Sequence, residues 1–169
     1  MKAIIDLAEQ TITIGRNQFV NLANATDTNI YFVESGSLQI YVLDDGEVRI
    51  VRFGYAHDLI VALDSFLTEK PSDFYIQALK KTTLKVISKK TFIQHIQQND
   101  QTRQLWTKIL EDLVLQQLER EKDLLTNSPR ERYRRVLQRS PKLFQQIPNK
   151  HIANYLRMTP ETLSRLKKS

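Results

Sequence analysis

The sequence predicts an α+β protein whose β-rich first half is followed by a helical second half. Seven short segments rich in β-branched and aromatic residues lie between residues 11 and 88, separated by turn-forming residues. A single helical pattern then runs through residues 101–125, with apolar residues every three or four positions. Residues 126–169 carry eleven basic and two acidic residues, a net +9, whereas the whole chain carries +6. A mildly acidic body with a basic end is the layout expected of a protein whose end meets a polyanion.

The composition excludes several classes of protein. Hydrophobic residues make up 41% of the 169 residues and charged residues 26%, which is typical of a globular chain with a buried core. No segment approaches the roughly 20 apolar residues that a membrane span needs, and the first residues lack the apolar run of a signal peptide. The chain has no cysteine, which excludes disulfides and cysteine-ligated metal centres. We therefore expect a cytoplasmic protein with no membrane partner.

Seven strands are predicted in the first half. They are TITIG, FVNL, IYFVE, SLQIYVL, EVRIVRF, FYIQAL and TLKVIS. Gly36 and the Asp45-Gly46 pair are turn signals, and the pair lies between two alternating runs, which predicts a β-hairpin. Seven strands at this spacing are compatible with a sandwich, a roll or a barrel, because the pairing order does not follow from the pattern.

Helices are predicted from residue 88 onward. SKKTFIQHIQQND predicts a short helix, and residues 101–125 predict a long one whose apolar face is wider than a coiled-coil seam. One edge of this face is expected to meet a second copy of the same helix, and a plain core helix is the alternative. The predicted dimer-contact residues are Leu105, Trp106, Ile109, Leu110, Leu113, Val114 and Leu118.

Three further helices follow a Ser128-Pro129 hinge, and they are predicted at Pro129–Arg139, 150–156 and 159–168. The last two form a candidate helix-turn-helix within NKHIANYLRMTPETLSRL. Thr159 is a favourable N-cap and Pro160 suits the first helical position. Arg157 occupies the turn position where glycine is usual, and a left-handed conformation there costs about 1 kcal/mol or more. A slightly different turn is the alternative.

A helix-turn-helix reads DNA when the N-terminal part of its second helix enters the major groove. Thr162, Ser164 and Arg165 are expected to reach base edges, and Arg165 can pair with a guanine through two hydrogen bonds. The lysines at both ends of the motif suit phosphates.

The order of β-structure, long helix, Ser-Pro hinge and helix-turn-helix resembles the Crp/Fnr family of bacterial transcription regulators over essentially the whole chain. IYFVESGSLQIYVLDDGEVRIVRF and DSFLTEKPSDFYIQALKKTTLKVIS are similar to the cyclic-nucleotide-binding roll of that family, and the segment from ERYRR onward resembles a short-tailed subgroup. The resemblance implies an antiparallel, jelly-roll-like β-roll at 1–100, a central dimerisation helix and hinge at 101–127, and a helix-turn-helix domain at 128–169. It also implies double-stranded DNA, a second copy of the chain and RNA polymerase as partners.

The resemblance places Glu161 and Arg165 at base-contacting positions of the recognition helix, whereas Pro160 stands where many members have an arginine. The winged hairpin of longer relatives does not follow, so we expect weaker affinity and a shallower salt dependence. The full set of candidate DNA-binding residues is Lys150, Thr159, Glu161, Thr162, Ser164, Arg165, Lys167 and Lys168.

The phosphate cassette of the family is degenerate here. In cyclic-nucleotide binders a Gly-Glu pair and a later Arg-Ser pair bind the ribose and the cyclic phosphate. The corresponding residues in this chain are Val61, Ala62, Ser72 and Asp73, and all four differ from the residues of the family. A buried phosphate without a cation is costly, and Asp73 would add repulsion. We expect no cyclic AMP or cyclic GMP binding of the usual kind and no cofactor, while an unknown small-molecule effector stays open.

The main hypothesis is therefore a homodimeric transcription regulator that reads an inverted repeat through helix 159–168. The alternative is a sensor or protein-interaction module with weak or vestigial DNA binding, whose unknown ligand would meet Arg49, Arg52, His57 or Tyr75. An enzyme on a cupin-like roll is not expected. The sequence offers no nucleophile–base pair and no Gly-rich phosphate loop, and its three histidines lack metal-ligand spacing.

Overall fold

A computed structural model describes residues 2–168, and these divide into two compact units between Gln98 and Asn99. The first unit holds the strands and three short helices, and the second holds helices throughout. None of the helices in the described part of the chain is long and apolar enough to cross a membrane.

The first unit is built from two four-stranded antiparallel sheets. Its strands are β1 (Gln10–Ile14), β2 (Phe19–Asn21), β3 (Ile30–Ser35), β4 (Ser37–Asp44), β5 (Glu47–Tyr55), β6 (Leu59–Val61), β7 (Tyr75–Ala78) and β8 (Thr82–Ile87). Its helices are α1 (Lys2–Ile5), α2 (Leu63–Thr68) and α3 (Lys89–Ile96). The strand orders are β1-β8-β3-β6 and β2-β7-β4-β5, so each sheet joins strands that are distant in sequence.

Apolar side chains from both sheets form one core. They come from alternating positions of the strands, such as Leu38 and Ile40 of β4, because successive side chains of a strand point to opposite faces. The cluster contains Tyr31, Val33, Leu38, Ile40, Ile60, Ala62, Ile76, Ala78, Leu84 and Val86. Beside it, the Phe66 ring of α2 meets the Phe92 ring of α3 edge-on, with 6.1 Å between the ring centres.

Both turn signals of the first half adopt the backbone that the sequence indicates. Asp45 and Gly46 have φ angles of 50° and 77° and connect the paired residues Asp44 and Glu47, as in a two-residue hairpin. Gly36, between β3 and β4, has a φ of 101°, and a Cβ there would lie 2.5 Å from the Thr82 Cα atom. Glycine is therefore required at residue 36 both by the backbone and by the close neighbour.

The second unit begins with a helix of 26 residues. Its helices are α4 (Asp100–Leu125), α5 (Pro129–Arg139), α6 (Leu143–Gln146), α7 (Asn149–Tyr155) and α8 (Pro160–Leu166). The N-caps of α4, α5 and α8 are Asn99, Ser128 and Thr159, whose side chains each accept a hydrogen bond from the backbone N–H three residues later. The buried apolar residues are Val136, Leu143, Ile147, Ile152, Ala153, Leu156 and Leu163.

These elements confirm the predicted fold class. All seven predicted strands are present, and the bounds of α5 agree with the prediction. The predicted number of strands was one too low. β6 and α2 lie in the mostly apolar segment LIVALDSFL, which shows neither strand nor helix periodicity. The short helices α1 and α6 were also not predicted, and α7 and α8 end one and two residues earlier than predicted.

Candidate nucleic-acid interface and ligand cassette

Helix α8 starts at a strong capping site. The Thr159 hydroxyl accepts a hydrogen bond from the Thr162 N–H at 3.2 Å, and Pro160 occupies the first helical position, where no N–H partner is needed. Leu163 is fully buried, whereas Leu166 is half-buried. One face of the helix is thus held in the core of the second unit while the opposite face meets solvent.

The turn before α8 is a tight helix C-terminus with arginine at the left-handed position. Arg157 has a φ of 53°, which is the first of the two possibilities that the sequence left open. The Met158 N–H donates to the Ala153 carbonyl, and the Arg157 N–H donates to the Asn154 carbonyl, both at 3.0 Å. This pair of bonds is the Schellman arrangement, which usually ends in glycine. The small side chain of Ala153 is fully buried between the helices.

The candidate DNA-binding residues lie on the exposed surface around α8. All of them are exposed except Thr162, which is half-buried. The Arg165 guanidinium lies 3.5 Å from the Thr162 hydroxyl, which in turn lies 3.1 Å from the Thr159 hydroxyl. These three side chains form a continuous polar row on the first two turns of the helix.

Two further candidates have partners within the chain. The Lys167 ammonium donates to the Asn149 side-chain oxygen at 2.8 Å. A hydrogen bond from its own backbone N–H, together with one from the Thr159 side chain, holds the pKa of the Glu161 carboxyl below its ordinary value. Glu161 therefore stabilises the start of α8, and a contact with a base edge would compete with that role.

Nine of the eleven basic residues after residue 126 are exposed. They are Arg130, Arg134, Arg139, Lys142, Lys150, Arg157, Arg165, Lys167 and Lys168. Three of the eleven, Arg132, Arg135 and Arg139, bind carbonyl or carboxylate groups of the chain. The strongly basic surface predicted from the sequence is therefore present, although about a quarter of its charge is used internally.

Charged residues that the sequence pattern did not indicate as important connect α4 to α5. Asp123 is fully buried and accepts a hydrogen bond from Arg135 Nε at 3.0 Å and another from Arg139. Glu119, one turn earlier, accepts from Arg135 Nη2 at 3.0 Å. The signal that would have predicted this cluster is a pair of acids four residues apart before the hinge and a pair of arginines four residues apart after it.

Helix α4 also contacts α7. The Arg120 guanidinium carbon lies 3.7 Å from the centre of the Tyr155 ring, a close cation–π contact. Arg120 is 7% exposed, and burial lowers the pKa of its guanidinium.

The predicted dimer residues differ in exposure along α4. Leu105, Trp106, Ile109, Leu110 and Leu113 are half-buried, whereas Val114 and Leu118 are 60% and 47% exposed. Leu115 and Leu125, which were not in the predicted set, are 58% and 74% exposed. The C-terminal half of the helix therefore carries an uncovered apolar stripe, formed by Val114, Leu115, Leu118 and Leu125.

The four cassette residues lie around α2. Val61 ends β6, Ala62 is buried immediately before α2, and Ser72 and Asp73 precede β7. No arginine or lysine is found at these four positions.

The Asp64 carboxylate accepts hydrogen bonds from polar groups of this segment. Asp64 Oδ1 accepts from the Ser65 N–H at 2.8 Å and from the Ser72 hydroxyl at 2.9 Å, and Asp64 Oδ2 accepts from the Asp73 N–H at 3.1 Å. Ser72 is fully buried, and its oxygen accepts from the Phe74 N–H at 3.1 Å. Asp64 was not singled out in the sequence, because its partner Ser72 lies eight residues away across a loop.

Arg49 and Tyr75, which were suggested as contacts of an unknown ligand, interact with other side chains of the chain. Arg49 forms ion pairs with Asp44 at 3.4 Å and with Glu47 at 2.8 Å, near the tip of the β4–β5 hairpin. The Tyr75 ring stacks on Tyr41 with 5.0 Å between their centres. Within residues 2–168, no group of three or more histidine, aspartate or glutamate side chains is arranged to hold a metal ion.

Comparison with known proteins gives a family and a fold. Residues 12–99 match the family described as cyclic nucleotide-binding domain. No curated protein sequence matches the chain significantly.

Solved structures share the fold over almost the whole chain. FixK2 from Bradyrhizobium japonicum has a TM-score of 0.75 at 18% identity, covering 94% of this chain and 82% of its own. A CooA variant from Carboxydothermus hydrogenoformans has a TM-score of 0.72 at 16% identity, covering 98% and 77%. CLP, a c-di-GMP responsive global regulator from Xanthomonas campestris, has a TM-score of 0.71 at 15% identity, covering 99% and 88%. The chain therefore belongs to the cyclic nucleotide-binding domain family, and the three solved structures named above are Crp/Fnr-family transcription regulators.

Proposed function

We propose that the chain is a homodimeric DNA-binding transcription regulator that reads an inverted repeat through α8. The observation that carries the proposal is the row formed by Thr159, Thr162 and Arg165. Thr159 and Arg165 are exposed, on a helix whose opposite face is anchored by buried Leu163. A helix held on one side and polar on the other is what the major groove admits, and Arg165 has the two parallel donors that a guanine edge accepts. The similarity in fold to Crp/Fnr-family regulators supports the same reading.

Electrostatics favour the same surface. The exposed cations include Lys150 in the first turn of α7 and Lys168 after α8, at opposite ends of the motif. Cations that flank a groove-reading helix bind phosphates and position the helix without reading sequence. In this proposal Arg165 specifies the base pair, and the lysines supply affinity that depends on salt.

Dimerisation follows from the apolar stripe on α4. Val114 and Leu118 are one helical turn apart and both largely exposed, which is an unfavourable state for large apolar side chains in water. A second copy of α4 would cover both stripes about a two-fold axis. Two recognition helices related in this way reach half-sites about 34 Å apart. We accordingly assign residues 1–100 to a sensor domain, 101–127 to dimerisation and 128–169 to DNA binding.

The proposed regulator does not use cyclic AMP or cyclic GMP as its family does. The N–H groups of Ser65 and Asp73 and the Ser72 hydroxyl donate to Asp64, so the segment already holds a carboxylate of the chain. A second anion there would face Asp64 and Asp73 without a cation to balance it, which is costly in a partly buried place. DNA binding is therefore expected without a cyclic nucleotide.

Fluorescence anisotropy of labelled duplex DNA, with no effector added, tests this proposal. We expect binding at low salt that weakens as salt rises, with a slope of about 0.9 in the logarithms for each phosphate neutralised. Cyclic AMP should leave the titration unchanged. Failure to bind any duplex at low salt would favour the alternative function, a sensor or interaction module, and binding only in the presence of cyclic AMP would contradict our account of the cassette.

A further inference from the structure

One buried arginine joins the two connections on which the orientation of α8 depends. Arg132, in the first turns of α5, donates from Nη1 to the carbonyls of Thr126 at 2.5 Å and Asn127 at 3.1 Å. It donates from Nε to the Leu156 carbonyl at 2.9 Å and from Nη2 to the Arg157 carbonyl at 3.1 Å. The first pair belongs to the connection between α4 and α5, and the second pair to the turn between α7 and α8.

The chemistry of these contacts requires a guanidinium. Thr126 and Leu156 are the C-caps of α4 and α7, where helix carbonyls lack an intrahelical partner and the helix dipole is negative. A guanidinium has five N–H donors in one rigid plane, whereas a lysine ammonium is a single point on a flexible stem. Arg132 is only 9% exposed, so water has little access to replace the lost bonds.

Arg132 differs from the other links between these helices. The Asp123 ion pairs connect α4 to α5, and the Arg120–Tyr155 contact connects α4 to α7. Neither of them touches the turn that leads into α8. Arg132 binds that turn at Arg157, the residue in the left-handed conformation. Loss of Arg132 would therefore remove its hydrogen bonds to this turn while leaving α5 and α7 attached to α4.

We propose that Arg132 is a positioning residue that fixes the angle between α4 and α8. In a dimer joined through α4, that angle sets the separation of the two recognition helices, and so the spacing of the half-sites that can be read together. The inference rests on the proposed DNA-reading dimer for its consequence, but the angle itself is a property of a single chain.

A distance measurement tests the angle without DNA. The chain has no cysteine, so cysteines introduced at Gln104 of α4 and Ser164 of α8 give two unique spin-labelling sites. The doubly labelled chain, diluted with unlabelled protein, should give one narrow distance distribution by double electron–electron resonance. Arg132→Lys should lose this single distance and give a broad distribution, because charge is kept while the four-carbonyl contact is lost. Arg134→Lys, the same change at an exposed position of α5, should leave the distance unchanged.

A merely stabilising role would lower the unfolding temperature of Arg132→Lys and leave the distance narrow, and that result would overturn the inference. Circular dichroism checks that the variant is folded. If Arg132→Lys does not fold, Arg132→Gln, which keeps an amide donor and places no charge in the site, provides the same test.

The DNA consequence is measured with inverted repeats whose half-sites are moved apart by one base pair. Wild type should prefer one spacing by roughly tenfold or more, which is the usual cost of a misplaced contact, and Arg132→Lys should prefer it by less than about threefold. Its affinity for a single half-site should stay close to that of wild type. An unchanged spacing preference would overturn the inference alone, whereas a wild type that binds no duplex would overturn the proposed function and leave the distance measurement as the test of Arg132.

Discussion

Leu118→Glu should convert the protein from a dimer into a monomer. Leu118 lies in the middle of the exposed stripe of α4, and two copies of it would be buried in the proposed interface. Full burial of an exposed leucine side chain contributes about 1.5–3 kcal/mol, and Leu118 is 47% exposed, so the loss of two such side chains weakens association by roughly 1.5–3 kcal/mol, or about 10- to 150-fold. Two carboxylates placed against each other add repulsion. Sedimentation equilibrium over a concentration series measures the change.

Gln117→Glu is the matched control for this variant. It introduces the same charge on the same helix at an exposed polar residue outside the stripe, and it should remain dimeric. DNA binding by Leu118→Glu should fall to the level of a single half-site, because the two recognition helices are no longer connected. A Leu118→Glu protein that stays dimeric at low concentration would show that the stripe is not the interface.

Arg165→Ala should weaken binding to the preferred site and relax the choice of base at one position of each half-site. A bidentate arginine–guanine pair contributes about 1–3 kcal/mol of discrimination, or roughly 5- to 150-fold for each half-site. Arg165 is exposed and contacts Thr162 at 3.5 Å, so its removal disturbs little of the fold. Anisotropy titrations against the preferred site and against single-base variants of it measure both effects.

Lys168→Ala distinguishes the contribution of phosphate contacts to DNA binding from the contribution of base recognition. Lys168 is exposed beyond the end of α8, where a phosphate contact is expected. Its removal should weaken binding to all sequences by a similar factor and reduce the salt slope by about one for each phosphate contact that is lost. If Arg165→Ala behaves in the same uniform way, Arg165 binds a phosphate and the assigned base contact is wrong.

The helices around the candidate site could be predicted because their ends are set by local chemistry. Ser128-Pro129 and Thr159-Pro160 each place a capping hydroxyl before a proline, and both pairs begin helices in the structure. Arg157 was identified as the turn position where glycine is usual, and it is left-handed in the structure. These signals act over three or four residues, which is the range over which a sequence pattern can be read directly.

The groups that arrange the site could not be predicted in the same way. Arg132 binds carbonyls of Leu156 and Arg157 that lie 24 and 25 residues away. Because every residue has a backbone carbonyl, the sequence does not indicate which carbonyls an arginine binds. Asp64 reads as an ordinary acid at the start of a helix, and its contact with Ser72 depends on how the loop after α2 folds back. In both cases the tertiary structure determines the partner, so a local sequence pattern does not predict it.

The positive charge of the C-terminal part illustrates the same limit. Composition predicts a net +9 after residue 126, but it does not distinguish Arg135, which pairs with the buried Asp123, from Arg165, which faces solvent. The first arginine maintains the connection between α4 and α5, and the second is available to a ligand. The positive charge available to a ligand in this protein is therefore the charge that remains after the internal ion pairs are formed.

Selection of bound sites from random duplex DNA, with purified protein and no effector, tests the central claim most directly. The account predicts recovery of an inverted repeat whose half-sites are about one helical turn apart, centre to centre, at both low and moderate salt. Each half-site should contain a guanine that Arg165→Ala no longer selects. Recovery of no common sequence, with binding that disappears as salt rises, would contradict the assignment of α8 as a sequence-reading helix.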